Sequence, residues 1–258
     1  MIDQATVDRF RADGHIVVRG LASRGDVDAY RPVIGRAVRE VAQRKDPQGR
    51  IDDYSRLFTQ VTNIWRLDEA SRRIVFARPF AAAAARLLGV PSVRLYHDQA
   101  LFKPAGAART PWHQDRYYWP LDTDLTVTMW LPLVDVTEEM GPMIFASGSH
   151  RVTVPGDVAI SEETDHRLAR FVEEQRFPIA TEPIAAGDAT FHLGGTLHSA
   201  GANHSDRTRE VLTVIYYAAG TRVAPPANDN QRVDSEVFLP GVKPGEEAAS
   251  EMNPVLYP

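Results

Sequence analysis

A chain of 258 residues with 43% hydrophobic and 24% charged side chains has an ordinary globular composition and can bury a sizeable core. Its formal net charge is -5 and its 29 basic residues form no run or tail, which argues against a polyanionic partner, while the lack of cysteine excludes disulfides, thiolate-bound clusters and cysteine nucleophiles. The start Met1-Ile2-Asp3-Gln4 has no basic segment leading into an apolar one, and no stretch of about 18 apolar residues follows, so the expectation is a cytoplasmic protein without signal peptide, membrane or nucleic-acid partner.

In chain order, Thr6 to Asp13 reads as a short amphipathic helix stopped by Gly14, and His15 to Arg19 as a brief strand. Ser23 with Asp26 resembles a capping box, and Val27, Tyr30, Val33, Ile34, Val38 and Val41 keep a helical period to about Arg44. A polar loop is expected over Asp46 to Asp53. Glu69 to Ala77 and Pro79 to Leu88 read as two more helices, the second opened by proline and closed by Gly89.

Beyond Pro91 the pattern turns to strands: Ser92 to Lys103, Thr126 to Val136, Met143 to Ala146, Phe177 to Ile184, Ala189 to His192 and Glu210 to Ala218. Gly and Pro mark the turns between them, and one helix, Glu162 to Glu174, interrupts the series. Strands without alternating helices predict a sandwich or barrel, not a doubly wound sheet. The expected organisation is one domain over 1–258: a mainly helical part (1–90), a β core (91–220) and an irregular arm (221–258) that could cover a pocket mouth.

The sharpest local feature is Thr110-Pro111-Trp112-His113-Gln114-Asp115. On a strand, side chains two residues apart point to one side, so His113 and Asp115 can share a metal ion. A distant histidine would complete a site with open coordination positions. H-x-D alone is weak, because His204-Ser205-Asp206 repeats it in a polar stretch that reads as a turn. The first copy is flanked by Trp112, Tyr117, Tyr118 and Trp119, as a pocket wall would be. His198 follows Gly194-Gly195, and Arg209 lies eleven residues on, at the head of a strand. An antiparallel pair joined by a polar turn would bring the two together, histidine to metal and guanidinium to a carboxylate.

Together these features resemble the phytanoyl-CoA dioxygenase family of Fe(II)- and 2-oxoglutarate-dependent oxygenases. The resemblance rests on His113, Asp115, His198, Asn203, Ser205 and Arg209, with Gly14 to Gly20 and Glu139 to His150 also similar. Met140 and Ser147 depart from the family's usual Asn and Pro. The resemblance implies a mainly β protein with flanking helices around a double-stranded β-helix (jelly-roll, cupin-like) core. It implies Fe(II) on His113, Asp115 and His198, with 2-oxoglutarate held by Arg209 and neighboured by Gln99, Lys103 and Trp130. Gln99 and Lys103 share a strand face by parity, whereas Trp130 could equally be core filling. Ala200 sits where some relatives carry a hydroxyl.

The activity so implied uses O₂ to oxidise a C–H bond of a small molecule, with succinate and CO₂ as co-products. The carboxylate at 115 points to hydroxylation, desaturation or ring formation and away from halogenation. Tyr96, Tyr117, Tyr118 and Trp119 suggest a partly aromatic substrate pocket, and the lack of a basic cluster favours a free small molecule over a coenzyme A thioester. Two other classes fit parts of the pattern. A cupin-type hydrolase or isomerase could use the same ligands for Zn²⁺, Mn²⁺ or Ni²⁺, but leaves Arg209 without a role. A non-enzymatic binding module fits an intact ligand set poorly.

Overall fold

The computed structural model describes residues 2–45, 59–156 and 159–258, so the loop expected over Asp46 to Asp53 lies outside the described residues. The chain opens with α1 (Gln4–Asp13), capped by the Asp3 carboxylate accepting from the Thr6 amide and ended by Gly14 in the left-handed region. Strand β1 (His15–Val18) follows, then α2 (Arg24–Lys45), with Ser23 and Asp26 bonded to each other's backbone amides as a capping box. After β2 (Thr59–Thr62) come α3 (Glu69–Val75) and α4 (Arg78–Leu88).

The β-rich part contains β3 (Val93–Lys103), β4 (Thr110–His113), β5 (Thr126–Pro132), β6 (Met143–Ala146), β7 (Ile179–Thr181), β8 (Ala189–Leu193), β9 (His198–Ala200) and β10 (Arg209–Ala218). One helix, α5 (Glu162–Glu174), lies between β6 and β7. The strands form two antiparallel sheets. The larger runs β1-β8-β5-β10-β3, with β3's far edge shared by β2 and the last strand, β11 (Val255–Tyr257); the smaller runs β4-β9-β6-β7. This is a double-stranded β-helix, the jelly-roll fold, with helices on one side.

The main core lies between the helices and the outer face of the large sheet, where Phe80, Ala84 and Leu87 of α4 meet Leu95, Met129, Phe191 and Val214. The sheet's inner face packs on the small sheet through Trp130, Val211, Met143, Phe145 and Ala200. Alternation along β3 thus serves two purposes: Ala100 goes into the core, while Gln99 and Leu101 face the space between the sheets. At Tyr96 the alternation breaks. Ile215 pairs with His97 and Tyr216 with Leu95, so Tyr96 is an extra residue in a β-bulge. Its ring consequently lies beside that of His97, 5.1 Å between centroids.

Several boundaries differ from those read in the sequence. The strand expected to run to Val136 stops at Pro132, and the one expected over Phe177 to Ile184 shrinks to three residues between Pro178 and Pro183. Proline donates no ladder hydrogen bond. The arm 221–258 is not irregular, since it contains α6 (Asp229–Phe238) and β11. The inward positions of α6 are Asn230, Asp234 and Phe238, while Val233 and Val237 are exposed, so its apolar pattern does not mark the buried face.

Asp98 points into the helical side of β3 and is fully buried, accepting the Ile64 amide at 2.9 Å. Its second oxygen and the Tyr216 hydroxyl are both buried without a partner among the described residues. Burial pushes the Asp98 carboxyl up to about 8, against the pull of amides at Ile64 and Trp65. The folded state therefore binds an extra proton between the unfolded value of about 4 and about 8. The stability Asp98 contributes is complete below that window and lost as pH rises through it. Thermal unfolding scans should show the wild type losing midpoint across this range. Asp98→Asn should flatten the loss, and an unchanged slope would contradict the assignment.

Candidate active site

Between the sheets lies a cavity of about 420 Å³. His113 closes β4, and Asp115 opens a single 3-10 turn, Asp115–Tyr118. The two ligands therefore meet across a strand end, not along one extended strand as parity suggested. His198 starts β9, directly opposite His113 in the ladder. The three side chains offer ligand atoms that all lie within 4.8 Å of one another, a geometry able to hold one metal ion. Asp115 Oδ1 is 3.7 Å from Nε2 of both His113 and His198.

The surrounding hydrogen bonds fix which atoms face that point. His113 Nδ1 donates to the Pro111 carbonyl at 2.8 Å and His198 Nδ1 to the Thr196 carbonyl at 2.9 Å. Each ring is thus held in the tautomer that leaves Nε2 with a free lone pair. Burial pushes both imidazoles down to about 4, so they are neutral, as ligands must be, at ordinary pH. For Asp115, burial acts upward, but His198, His192 and His113 outweigh it and hold the carboxyl below its usual range.

His192 is a residue that sequence reasoning missed. It stands on β8 beside Thr128 of β5, and both donate to Asp115 Oδ2, at 3.1 and 2.8 Å. With Oδ2 engaged twice, only Oδ1 is left for a metal. The available signal was the in-facing place of His192 in Ala189-Thr-Phe-His-Leu193, six residues before His198. The duplicate motif lies elsewhere, with His204 and Asp206 exposed in a turn.

Arg209 is 2% exposed and lines the same cavity. It does not reach His198 through a hairpin, because β9 belongs to the small sheet and β10 to the large one. The intervening loop is braced by Asn203, whose side-chain amide donates to the carbonyls of Lys103, Pro104 and Arg207 and whose oxygen accepts from Ser205. The guanidinium lies over the Trp130 ring, 5.4 Å from its centroid, and Nη1 donates to the Gly141 carbonyl. Gly141 has φ 71° and approaches Gly201 so closely that a Cβ would sit 2.2 Å from the Gly201 oxygen, so only glycine fits. No carboxylate pairs with Arg209 among the described residues, and its Nε is buried without a partner. Burial lowers the guanidinium to about 10, leaving it charged and in need of an anion.

Gln99 and Trp130 line the cavity, and so do Tyr118 and Trp119. Lys103, Tyr96 and Tyr117 do not. Lys103 lies beneath the cavity wall, where its three donors go to the Ala108 and Gly201 carbonyls and the Thr110 hydroxyl. An ammonium so saturated has none left for a co-substrate. Tyr96 is fully buried, its hydroxyl donating to Asp234 at 2.9 Å.

Two histidines and one carboxylate inside a double-stranded β-helix, beside a buried guanidinium that pairs with no carboxylate among the described residues, match the donor set of a mononuclear facial-triad metal site. The chain belongs to the phytanoyl-CoA dioxygenase (PhyH) family, whose sequence profile matches residues 10–211. It is 31% identical over 134 residues to a probable alpha-ketoglutarate-dependent hypophosphite dioxygenase of Stutzerimonas stutzeri, a match covering 50% of this chain and 46% of that protein. In structure it resembles the non-heme alpha ketoglutarate dependent carbocyclase SnoK from nogalamycin biosynthesis (TM-score 0.80, 24% identity, 98% of this chain and 96% of that one). It also resembles the epimerase SnoN in complex with Fe³⁺, alpha ketoglutarate and nogalamycin RO (TM-score 0.76, 25% identity, 98% of each chain). Among the described residues no helix is long and apolar enough to cross a membrane.

Proposed function

We propose that the protein is an Fe(II)- and 2-oxoglutarate-dependent dioxygenase that oxidises a C–H bond of a small organic molecule, with hydroxylation the expected outcome. The observation that carries this reading is the convergence on one cavity of the His113-Asp115-His198 cluster and the unpaired Arg209 guanidinium. A hydrolytic metal site has no use for the latter. Family membership and the iron and alpha ketoglutarate bound by SnoN support it.

The donor set suits Fe(II): two neutral imidazoles and one carboxylate leave positions for a chelating co-substrate and O₂. His113 Nε2, His198 Nε2 and Asp115 Oδ1 would hold the metal. When bound, iron and 2-oxoglutarate supply the oxidising power, with release of succinate and CO₂. The chain's own residues hold and orient. Arg209 would offer its free donors to the distal carboxylate of the co-substrate, with the Trp130 ring beneath the guanidinium at 5.4 Å. Thr128 and His192 engage Asp115 Oδ2, so the carboxylate would offer a metal Oδ1 alone. Helix α6 and the Tyr118 turn roof the cavity: Asn228 and Gln231 donate to the Tyr117 carbonyl, and the Ile160 amide donates to the Tyr118 hydroxyl. Such a roof narrows the way in for water.

His192→Phe fills the same space without the donor. Iron affinity or turnover should fall about 10- to 100-fold, the range typical of groups that orient a ligand. Equal iron titrations and equal turnover for variant and wild type would show that His192 is packing alone. The functional reading itself is tested by succinate formation from 2-oxoglutarate under O₂. Fe(II)-loaded protein should release succinate and Zn²⁺-loaded protein should not; absence of release with Fe(II), together with tight Zn²⁺ or Mn²⁺ binding, would overturn it.

A further inference from the structure

The register of β10 and β3 orders the cavity from end to end. Arg209 faces Lys103 at one end, and Ile215 faces His97 at the other, six residues of strand or roughly 20 Å away at about 3.3 Å per residue. Thr128, which holds Asp115, pairs with Ile215, so the metal cluster belongs to the His97 end. The side of the cluster that faces Arg209 would take the co-substrate, the long Arg209 side chain reaching towards the cluster from its end of the strand. What lies beyond, under α6, is free for the molecule to be oxidised.

That part is lined by His97, Trp119, Tyr118, Asn230, Asp234 and Phe238. The last three lie four residues apart on one face of α6, and Phe238 stacks on His97 at 4.2 Å. Among the described lining residues Asp234 is the only carboxylate apart from Asp115, and no Lys or Arg is there apart from Arg209. Its Oδ2 accepts from Tyr96, the bulge residue of β3, and among the described residues no cation is paired with it. Burial pushes this carboxyl up to about 7, as expected of an acid lacking its counter-charge.

We propose that Asp234 is the substrate anchor and that the substrate carries a protonated amine, received by the Asp234 carboxylate among the rings of Trp119, Tyr118 and Phe238. Carboxylate and aromatic faces together are the surroundings an alkylammonium prefers, since ring quadrupoles add to the ion pair. Tyr96 fixes the carboxylate's direction, and the bulge fixes Tyr96. The proposal rests on the oxygenase reading only in placing the co-substrate at the Arg209 end.

The test uses the full chain with Fe(II) and 2-oxoglutarate under anaerobic conditions. Isothermal titration calorimetry compares primary amines with the alcohols and carboxylates of the same carbon skeletons. Amines are expected to bind at least about tenfold more tightly, worth 1.4 kcal/mol. Asp234→Asn, which still accepts from Tyr96 and keeps α6 docked, should erase that preference, and Asp234→Lys should turn it towards the carboxylates. Calorimetry needs neither turnover nor iron chemistry. An equal response to amines and alcohols, or a preference that survives in Asp234→Asn, overturns the anchor even where 2-oxoglutarate binds normally. Failure of 2-oxoglutarate to bind alongside an intact amine preference would instead overturn the oxygenase reading alone.

Discussion

Asp115→Ala is expected to abolish succinate formation and to release iron at concentrations the wild type retains. The carboxylate is the only anionic ligand of the cluster, and both neighbouring histidines are neutral. Losing a metal's contribution to charge stabilisation costs several kcal/mol, on the order of 10³-fold or more in rate. The variant should still fold, because Asp115 opens a single turn and bears no apolar packing. Its removal leaves His192 and Thr128 without their acceptor, a modest penalty readable in the unfolding midpoint. The chain supplies its own control. Asp206→Ala removes the carboxylate of the exposed second H-x-D and should leave iron binding and turnover within about twofold, as for surface changes in general. Loss of activity in both variants, or in neither, would contradict the site.

Arg209→Met separates binding from stability. In the wild type a charged guanidinium is buried with Nε unpaired and no carboxylate paired with it among the described residues. Replacing it by an apolar side chain of similar length removes an uncompensated charge, so the unliganded protein should be no less stable, and it can gain. The same change leaves the distal carboxylate of 2-oxoglutarate in a buried pocket without a partner. Truncating one side of such a pair costs about 2–5 kcal/mol, so the KM for 2-oxoglutarate should rise by at least about 30-fold. A KM rise with a steady or higher unfolding midpoint is the expected pair of results. A large fall in the midpoint with an unaltered KM would make Arg209 a structural residue.

The sequence was most legible where local chemistry acts alone. α5 and β6 are where period and turns place them, since Ser161 caps the first and Gly and Pro bound the second. The strand-rich core without alternating helices was enough to exclude a doubly wound sheet. What escaped depends on long-range pairing. β2, at Thr59–Thr62, and β11, at Val255–Tyr257, exist because the far edge of β3 would otherwise be bare, and nothing in four or three residues announces that edge. α6 escaped because its inward face carries Asn230 and Asp234, where a core-facing helix would carry apolar residues.

At the site, parity along a strand suggested that His113 and Asp115 meet; they do lie together, but by another geometry, as the strand ends between them. The same argument applied to Lys103 failed for a reason invisible in one dimension. Lys103 is on the expected face of β3, but the Ala108 and Gly201 carbonyls and the Thr110 hydroxyl take all three donors of its ammonium. His192 had no motif to mark it, because its partner, Asp115, is 77 residues away in the chain.

The most direct measurement is anaerobic titration of metal-free protein with Fe(II) and 2-oxoglutarate, followed in the visible region. A weak charge-transfer band that requires both components, is lost in His113→Ala and persists in His204→Ala is the expected result. No band, with Fe(II) indifferent to added 2-oxoglutarate, would contradict the assignment of His113, Asp115, His198 and Arg209 to one oxygenase site.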